Sequence, residues 1–577
     1  MKPDPIPPPR MPEPPAKPAP PAAPKPHANI QTQSAAKEFN RCDMDVVELR
    51  KLPVQVDPYR PKFGRQPSEW SPVPFTGGNE VVGYIYGRCA FNDMARALDT
   101  AYSPGHRIYL AGWWIETRVE LRDPKSALPG VFTVLEEFLR GTSAQIRALL
   151  WKPPPAAIKY ANNQPITDLV NGLPHGAALM DERLPRDPIF GAHHQKLLIV
   201  AGSRGLIAFT GGMDQNNSRV NVQHYEPLHD VHLRIRGPAA LGLLNVFRER
   251  WMDHPDTVAL DAKLGVPRGS QYGVRASVAF PNPVTARDPV PSSTFPSDAQ
   301  PRADRLVAIG RTYANLDKQN NPPPYAFARP GEITAWRMVE HAIKAAKRWI
   351  YLEDQYLTST RAREALTAKL AEKNFEYLLI LVCNDRAADI PFATTWHNEY
   401  RAALQKVDPS RSKWGIFTLI DASEPSRKLW CGSYVHSKTW IFDDEYAIVG
   451  TANCTDRSFT YDTEVVAGIA EAPVNAAGGA GFARDLRIAL WRKHLGVQHH
   501  LLRDYRSGLK LWRNLPPTSM AYPFSDLRTP RPATLKKPDV VDKATGKVLE
   551  AGEVIEIDPA EVDVQKVRIF VDPDGLK

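Results

Sequence analysis

An internal repeat is the feature of this sequence that most constrains its fold. Three landmarks recur in the same order at nearly constant spacing, which indicates two similar halves packed as a pseudo-dimer with equivalent motifs meeting at the seam. The landmarks, at offsets of 242, 242 and 240 residues, are Ile108-Tyr109-Leu110 with Ile350-Tyr351-Leu352, His194-Gln195-Lys196 with His436-Ser437-Lys438, and the helix-like segments ending at Trp251 and Trp491.

Apolar strand-like runs alternate with amphipathic helical stretches in both halves. Strand-like runs at 107–114, 146–151 and 196–200, for example, are separated by a helix-like stretch at 132–141 and by turn residues. Such alternation predicts βα units and a mostly parallel sheet covered by helices. The predicted fold class is therefore α/β, with two similar α/β/α sandwich halves related by a pseudo-twofold axis.

Proline and turn residues divide the chain into segments. Thirteen prolines fall within the first 26 residues, and a segment so poor in large apolar side chains cannot bury a core. A second Pro-rich stretch separates the halves, and a third follows them. The predicted segments are a disordered arm at 1–40, a first half at 65–285, a connecting segment at 286–330, a second half at 331–505 and a C-terminal extension at 515–577.

Composition excludes several classes of protein. With 43% apolar and 24% charged residues among 577, the chain is neither mainly disordered nor fibrous. The five scattered cysteines show no C-x-x-C spacing, which argues against a disulfide scaffold and a zinc site. No apolar run approaches 18 residues and the N-terminus lacks a signal-peptide pattern, so we expect a protein that is cytoplasmic when made. The net charge of +9 favours anionic partners without choosing between lipid headgroups and nucleic acid.

The repeated His-x-Lys pair carries the chemistry. In a strand, residues i and i+2 share a face, so His436 and Lys438 point the same way while the next four residues enter the core. Gly450 would let the backbone approach a ligand, and Thr451 and Asn453 would supply hydrogen-bond donors there.

Two such halves place two histidines and two lysines around one pocket, a set that suits a phosphodiester. Lysines bind non-bridging oxygens as point charges. One imidazole can attack phosphorus while the other protonates the leaving oxygen. We expect no metal or cofactor, because lysines and amides already stabilise the charge. A single His-x-Lys pair is weak evidence, whereas two pairs at the repeat offset are strong.

These motifs resemble those of the phospholipase D superfamily, H-x-K-x4-D followed by G-[ST]-x-N. The second motif fits fully, with Asp443 as its aspartate. In the first, Ala201 stands where that aspartate is expected, and the spacing to the glycine is three residues longer. The double histidine at 193–194, the Gly-Gly-x-Asp ending, the His-Asp-Val-His segment at 229–232 and the segment at 350–356 are similar to those of phospholipases D. The resemblance covers about residues 75–500.

The resemblance implies a set of site residues, with Asp214 opposite Asn453. It assigns Glu464 as the carboxylate partner of His436, and Asp230 is the candidate partner of His194. His194 would be the nucleophile and His436 the general acid, although the residues alone fix only that one attacks and the other transfers the proton. The expected catalytic residues are His194, Lys196, His436, Lys438, Asn453, Asp230 and Glu464; the substrate-binding residues are Gly211, Gly212, Asp214, Gly450 and Thr451; and Asp443 is a supporting residue.

Neighbouring residues have simpler interpretations. We expect His193 to be a packing residue. His229 and His232 suggest a metal site, but a strand sends them to opposite faces, so we expect none. Trp113 and Trp114 fit a core or pocket wall, and Glu353 and Gln355, two apart on a strand, are expected to shape the pocket.

The resemblance favours a phospholipase D that hydrolyses the distal phosphodiester of glycerophospholipids through a covalent phosphohistidine, giving phosphatidic acid and a headgroup alcohol. The alternatives are a DNA or RNA phosphodiesterase of the same superfamily, a phospholipid synthase, and a non-catalytic scaffold. Two motifs in one chain argue against the minimal nucleases, which resemble one half acting as a homodimer. The two retained His-x-Lys pairs argue against a scaffold.

The Pro-rich start and the absence of a signal peptide are similar to antibacterial lipase effectors of type VI secretion. That resemblance implies export without a cleaved signal peptide, an immunity protein and a secretion-apparatus partner. We further expect a monomer that acts peripherally on a phospholipid membrane surface, without a nucleic-acid partner.

Overall fold

The computed structural model describes most of the two predicted halves. The described residues are 65–124, 127–153, 161–182, 191–220, 228–254, 305–314, 325–328, 331–383, 393–419, 434–471 and 481–524, with four short strands between 533 and 557. The predicted arm at 1–40 lies outside the described residues.

In the part of the chain that the structure describes, 16 strands form one continuous sheet. Its strands are β1 (Thr76–Ile85), β2 (Arg107–Gly112), β3 (Gln145–Trp151), β4 (Gly176–Asp181), β5 (Leu197–Gly202), β6 (Gly205–Gly211), β7 (Val231–Arg236), β8 (Arg305–Tyr313), β9 (Glu332–Ile333), β10 (Trp349–Asp354), β11 (Tyr377–Val382), β12 (Trp414–Leu419), β13 (Thr439–Phe442), β14 (Tyr446–Gly450), β15 (Glu464–Glu471) and β16 (Ala521–Pro523).

The strand order confirms two similar halves. The first half runs β1-β7-β6-β5-β2-β3-β4, and the second runs β8-β15-β14-β13-β10-β11-β12. Equivalent strands thus occupy equivalent places, and the halves join where β1 pairs antiparallel with β8. The α/β fold class predicted from the repeat is confirmed.

The expectation of a mostly parallel sheet is wrong. Among the paired strands that the structure describes, only β2-β3-β4 and β10-β11-β12 run parallel. The motif strands instead form hairpins, β5 with β6 and β13 with β14, and a hairpin joined by a short turn must be antiparallel. In the second hairpin, three residues join Phe442 to its partner Tyr446, and the first two, Asp443 and Asp444, have positive φ, of 52° and 61°.

Helices cover both faces of this sheet. They are α1 (Gly87–Asp99), α2 (Leu135–Gly141), α3 (Gln164–Gly172), α4 (Pro238–Met252), α5 (Thr334–Ala345), α6 (Thr360–Leu370), α7 (Ala393–Val407), α8 (Asp456–Thr460), α9 (Phe482–Leu495) and α10 (Tyr505–Arg513). Apolar residues of β5, β7, β13 and β15 share one core cluster with residues of α4 and α9, so this core crosses from one half to the other. On the opposite face, α1 to α3 cover the first half, and α5 to α7 cover the second.

Two predicted segments contribute strands to the sheet. Residues 305–313, predicted as part of a long connection, form β8 at the junction of the halves, where their backbone pairs antiparallel with β1 on one side and β15 on the other. Residues 521–523 of the predicted C-terminal extension form β16 against β12. Beyond them, β17 (Ala533–Lys536) pairs with β20 (Val554–Ile557), and β18 (Val540–Val541) with β19 (Val548–Glu550). Within the described ranges, no helix is long and apolar enough to cross a membrane.

Candidate active site at the seam between the halves

The two motif histidines lie at the seam, each just before a hairpin of its own half. The His194 amide donates to the Thr463 carbonyl at 2.9 Å, and the His436 amide donates to the His229 carbonyl at 2.8 Å. Both side chains are largely buried, with 13% and 10% of their surface exposed. Each histidine is therefore fixed by backbone of the opposite half and keeps a small opening to solvent.

Each histidine also takes its carboxylate partner from the opposite half. Nδ1 of His194 lies 3.0 Å from Oε2 of Glu464, and Nδ1 of His436 lies 2.8 Å from Oδ2 of Asp230. The expected pairing, Glu464 with His436 and Asp230 with His194, is therefore wrong. The same four residues meet, but the partners are exchanged.

Strand pairing at the seam explains the exchange. Asp230 directly precedes β7, and its neighbour His229 forms a parallel bridge with Val435, the residue before His436. Glu464 begins β15, and its neighbour Thr463 forms the equivalent bridge with His193. Because the carboxylate strands meet the motif strands across the seam, each carboxylate faces the histidine of the other half.

The two lysines lie beside the histidines and are buried. Nζ of Lys196 is 3.1 Å from Oδ2 of Asp214 and donates to the His194 carbonyl at 3.2 Å. Nζ of Lys438 donates to Oε1 of Gln355 at 3.0 Å and lies 3.1 Å from Nδ1 of His436. Gln355, expected to shape the pocket, thus holds a motif lysine.

Asp214 and Asn453 occupy equivalent positions after the motif glycines, as the alignment predicted. Oδ1 of Asp214 accepts from the amides of Trp113 and Trp114 at 3.0 and 3.2 Å, which leaves Oδ2 for Lys196. Oδ1 of Asn453 is buried and has no hydrogen-bond partner within the described part of the chain. The first half thus neutralises its lysine, whereas the second half presents an uncharged amide.

Glycines permit the close packing of the carboxylates. A Cβ on Gly212 would collide with Oδ1 of Asp230, and one on Gly450 would lie 2.5 Å from the Val465 carbonyl. Gly211 has a φ of 144° and a similar contact with the Val231 carbonyl. These positions therefore require glycine for contacts within the protein, which differs from the ligand approach expected of Gly450. Their role in substrate binding stays a prediction.

Thr451 links the two halves of the site. Its hydroxyl donates to Oε2 of Glu464, and its carbonyl lies 3.0 Å from Nδ1 of His194. A carbonyl oxygen only accepts hydrogen bonds, so Nδ1 of His194 must carry the proton. The other ring nitrogen, Nε2, is then left with a free lone pair.

Asp443 lies at the far end of its hairpin and supports the fold there. Its carboxylate accepts from the amides of Lys347, Arg348 and Trp349 at 2.7–2.9 Å and from Nη2 of Arg65 at 2.9 Å. It therefore anchors the start of β10. In the first half, Ala201 simply continues the pairing of β5 with β2, so that half forms its hairpin without such an anchor.

Burial dominates the electrostatics of the site. It raises the pKa of Asp230 to about 6, against the opposing charges of Lys438 and Arg219, and it raises the pKa of Glu464 to about 8. Burial, with Lys196 and Arg219 nearby, also lowers the pKa of Lys438 to about 7.

Burial and the neighbouring cations lower the pKa of both His194 and His436 well below the usual value. Each histidine–carboxylate pair should therefore titrate as one coupled unit.

A third cation, Arg219, is absent from the predicted site. It ends a 3₁₀ turn at Asn217–Arg219, and its Nη2 lies 3.4 Å from Nε2 of His436. The repeat could not have revealed it, because the equivalent position after the second motif is Ser458.

A buried carboxylate cluster lies behind the His436 side of the site. Oε2 of Glu353 is 2.8 Å from Nε2 of His229, and Oε1 is 2.8 Å from Nε2 of His494. The Tyr351 hydroxyl donates to Oε1 at 2.6 Å. His229, Glu353 and His494 are close enough together to hold a metal ion, but each contact has the length of an ordinary hydrogen bond. We interpret the cluster as a hydrogen-bonded anchor for the backbone next to Asp230.

The remaining neighbours match their simpler interpretations. His193 is buried between Thr463 and Asp181, and His232 is buried with Nδ1 accepting from the Met213 amide at 3.3 Å. Trp113 stacks on Trp151 and presents its ring edge-on to His194, as a pocket wall would.

Comparison with known proteins agrees with this arrangement. A family model described as Phospholipase D matches residues 417–511. "Phospholipase D alpha 2" of Oryza sativa subsp. japonica is 26% identical over 75% of this chain and 66% of its own length. "Phospholipase D alpha 3" of Arabidopsis thaliana is 23% identical over 74% and 65%. The chain thus spans slightly less than two thirds of the length of these relatives.

Among solved structures, a phosphatidylserine synthase of Haemophilus influenzae Rd KW20 is 13% identical, with a TM-score of 0.49 over 80% of this chain and 92% of that one. The two motifs, the cross-paired histidines and the sequence relatives lead to one conclusion: the chain belongs to the phospholipase D superfamily.

Proposed function

We propose that this protein is a phospholipase D that hydrolyses the distal phosphodiester of glycerophospholipids to phosphatidic acid and a headgroup alcohol. One observation carries the proposal: two buried histidine–carboxylate pairs and two buried lysines meet at one seam. Phosphodiester transfer needs a nucleophile, a proton donor and cations for the phosphate, and this set supplies all three without a cofactor.

His194 is assigned as the nucleophile. The Thr451 carbonyl and Glu464 both face its Nδ1, so the lone pair of Nε2 is free to attack phosphorus. As the new N–P bond forms, the bond from phosphorus to the headgroup oxygen breaks. Nε2 of His436 gives its proton to that oxygen, and Asp230 stabilises the histidine in its charged form.

The second step reverses these roles. His436, now neutral, takes a proton from water, and the resulting hydroxide attacks phosphorus. The N–P bond breaks, phosphatidic acid leaves, and His194 regains its lone pair. Throughout, Lys196 and Lys438 face the negative phosphate oxygens.

Product analysis on defined vesicles tests the proposal. Vesicles of phosphatidylcholine and phosphatidylethanolamine are incubated with the full chain, and lipid products are measured by mass spectrometry. We expect phosphatidic acid, with one oxygen-18 per molecule when the reaction runs in labelled water. Added ethanol should intercept the covalent intermediate and give phosphatidylethanol. His436→Ala should lose these products, whereas His500→Ala, at an exposed histidine outside the site, should keep them.

Other outcomes separate the alternatives. Cleavage of single-stranded DNA or RNA with no lipid product would favour a nuclease. Transfer of phosphatidyl groups to an added alcohol in large excess over water would favour a synthase. A folded protein without turnover on any phosphodiester would contradict the proposal.

We also propose that the protein acts peripherally on a membrane surface and is delivered as an antibacterial effector. The positive net charge supports the first part, since anionic lipids attract it. The second part rests on the Pro-rich start. The effector proposal predicts that expression of the protein in a bacterial periplasm is toxic. It also predicts that His194→Ala abolishes this toxicity and that an immunity protein neutralises it.

A further inference from the structure

Arg219 is placed at the reacting end of His436. Because Asp230 holds Nδ1 of that ring, Nε2 is the nitrogen that exchanges a proton with the substrate. Nη2 of Arg219 lies 3.4 Å from this Nε2, and the guanidinium is 5% exposed. A group bound between the two histidines would therefore meet Arg219.

The described protein groups satisfy few of the hydrogen-bond donors of the Arg219 guanidinium. Its nearest carboxylate oxygens are on Asp214, 3.8 Å from Nη2, and on Asp230, 4.0 Å from Nε. Both distances are too long for hydrogen bonds. Nε and Nη1 are buried and have no hydrogen-bond partner in the parts of the chain that the structure describes. A buried donor left unpaired costs free energy, so a ligand that supplied oxygen acceptors here would be favoured.

The repeat places a cation on only one side of the site, because the residue equivalent to Arg219 in the second half is uncharged. The offset of 239 residues that relates Gly211 to Gly450 relates Arg219 to Ser458. Ser458 is hydrogen-bonded to Glu464, the carboxylate partner of His194, whereas Arg219 lies 4.0 Å from Asp230, the carboxylate partner of His436. A neutral hydroxyl on one side and a fixed cation on the other make the two histidine–carboxylate pairs unequal.

We propose that Arg219 is a third phosphate-binding cation and a further catalytic residue, which donates hydrogen bonds to the non-bridging phosphate oxygens on the His436 side. This inference rests on the proposed phosphodiester chemistry. A guanidinium presents several donors in a fixed plane, so it can bind two oxygens at once, whereas Lys196 and Lys438 act as point charges. The planar fork would also hold the phosphate in line with the headgroup oxygen that receives the proton.

Charge supports the same assignment. Burial and then Arg219 are the main causes of the lowered pKa of His436, with Lys438, Lys196 and His194 adding to them and Asp230 facing its Nδ1. A bound phosphate would offset this cluster of positive charge and let His436 take up the proton that it must donate. Binding of the substrate phosphate near Arg219 would then favour protonation of His436, the general acid.

Two variants and two probes test the inference. Arg219→Gln removes the charge, and Arg219→Lys keeps the charge but loses the fork. The probes are hydrolysis of bis(p-nitrophenyl) phosphate and inhibition by orthovanadate. We expect kcat/KM to fall by about 10²–10³ in Arg219→Gln and by about tenfold in Arg219→Lys. Vanadate inhibition should weaken at least tenfold in Arg219→Gln. Arg248→Gln, an exposed arginine on α4, is the matched control.

The outcomes are distinguishable. Wild-type vanadate affinity in folded Arg219→Gln would overturn the inference. So would a loss of activity that disappears at another pH, because Arg219 would then act only through the titration of His436. If Arg219→Gln does not fold, the decision passes to Arg219→Lys, where unchanged kcat and vanadate affinity overturn the inference. Failure of the wild type to hydrolyse any phosphodiester would instead contradict the proposed function, while vanadate binding would still test Arg219.

Discussion

The observed histidine–carboxylate pairs predict different defects for variants of Asp230 and Glu464. The pairing expected from the sequence would predict the opposite assignment of these defects. Asp230 contacts His436, the proposed general acid, and Glu464 contacts His194, the proposed nucleophile. Asp230→Asn should therefore impair proton transfer, whereas Glu464→Gln should impair attack on phosphorus. A substrate with a p-nitrophenolate leaving group needs little protonation, so it separates the two effects.

The size of the effect follows from the geometry. At 2.8 Å, an ionised Asp230 holds the proton on Nδ1 of His436 and stabilises the imidazolium. An asparagine amide can instead donate to Nδ1, which places the ring in the wrong tautomer for proton transfer. Replacing the aspartate of a catalytic triad in this way costs about 10⁴ in kcat, or roughly 5 kcal/mol at 1.36 kcal/mol per tenfold. We expect a loss of about 10³–10⁴ for Asp230→Asn on phosphatidylcholine.

The assay is rapid-quench trapping of the phosphohistidine with the activated substrate. Asp230→Asn should accumulate an adduct on His194 that decays slowly, as His436→Ala should. Glu464→Gln should form the adduct slowly or not at all, as His194→Ala should. The opposite result, with adduct in Glu464→Gln and none in Asp230→Asn, would refute either the exchanged pairing or the assignment of His194. Trapping in the two histidine variants distinguishes these two explanations. An adduct on His436 in His194→Ala would show that His436 is the nucleophile and would leave the exchanged pairing intact.

Three further predictions follow from the buried charges and the donor set. Glu353→Gln should lower the free energy of unfolding by about 3 kcal/mol in urea titrations, because the amide nitrogen that replaces one carboxylate oxygen cannot accept the hydrogen bond of a buried histidine. Glu340→Gln, at the exposed pair with Lys344, should cost under about 0.5 kcal/mol. Burial lowers the pKa of Lys438 to about 7, so its charge is present below that pH and lost above it. In the wild type, kcat/KM should therefore fall as the pH rises through 7. In Lys438→Arg, which keeps its charge, the fall should begin at a higher pH. Activity on bis(p-nitrophenyl) phosphate should survive EDTA, since the proposed steps use only side chains. Full loss of activity on chelation, restored by one divalent ion, would count against the mechanism and would point to a metal ion at the cluster around Glu353.

The repeat in the sequence predicted more of the architecture than the local patterns did. A constant offset implies equivalent strands in equivalent places, and the two halves share one strand order. The direction of the strands was not predictable from apolar runs alone. A buried strand has the same composition in a hairpin as in a βα unit, so the hairpins could be predicted only from the short turns after the His-x-Lys pairs, as for residues 439–453. Similarly, β8 was not predicted, because the segment 286–330 that contains it is rich in proline and turn residues.

The site shows the same division between what spacing can predict and what it cannot. His194, Lys196, His436 and Lys438 could be identified because the motif repeats. Their partners could not be matched, since sequence order does not state which half a strand end will face.

Arg219 gave no signal at all, because its contact with His436 joins residues 217 positions apart and its repeat equivalent is a serine. Only the three-dimensional seam brings these groups together.

The exchanged pairs also explain why a fused duplication suits this chemistry. Neither half contains both members of a pair formed by a motif histidine, so a separated half would carry Asp230 or Glu464 without its imidazole and with its burial disrupted. A homodimer of one half satisfies the same geometry, but it must repeat every residue on both sides. In a fused chain the two sides can differ, and here Arg219, Asp214 and Ala201 of the first half correspond in the repeat to Ser458, Asn453 and Asp443 of the second. Such inequality gives the two rings different tendencies to hold a proton before any substrate binds, which suits a reaction in which one histidine attacks and the other moves a proton.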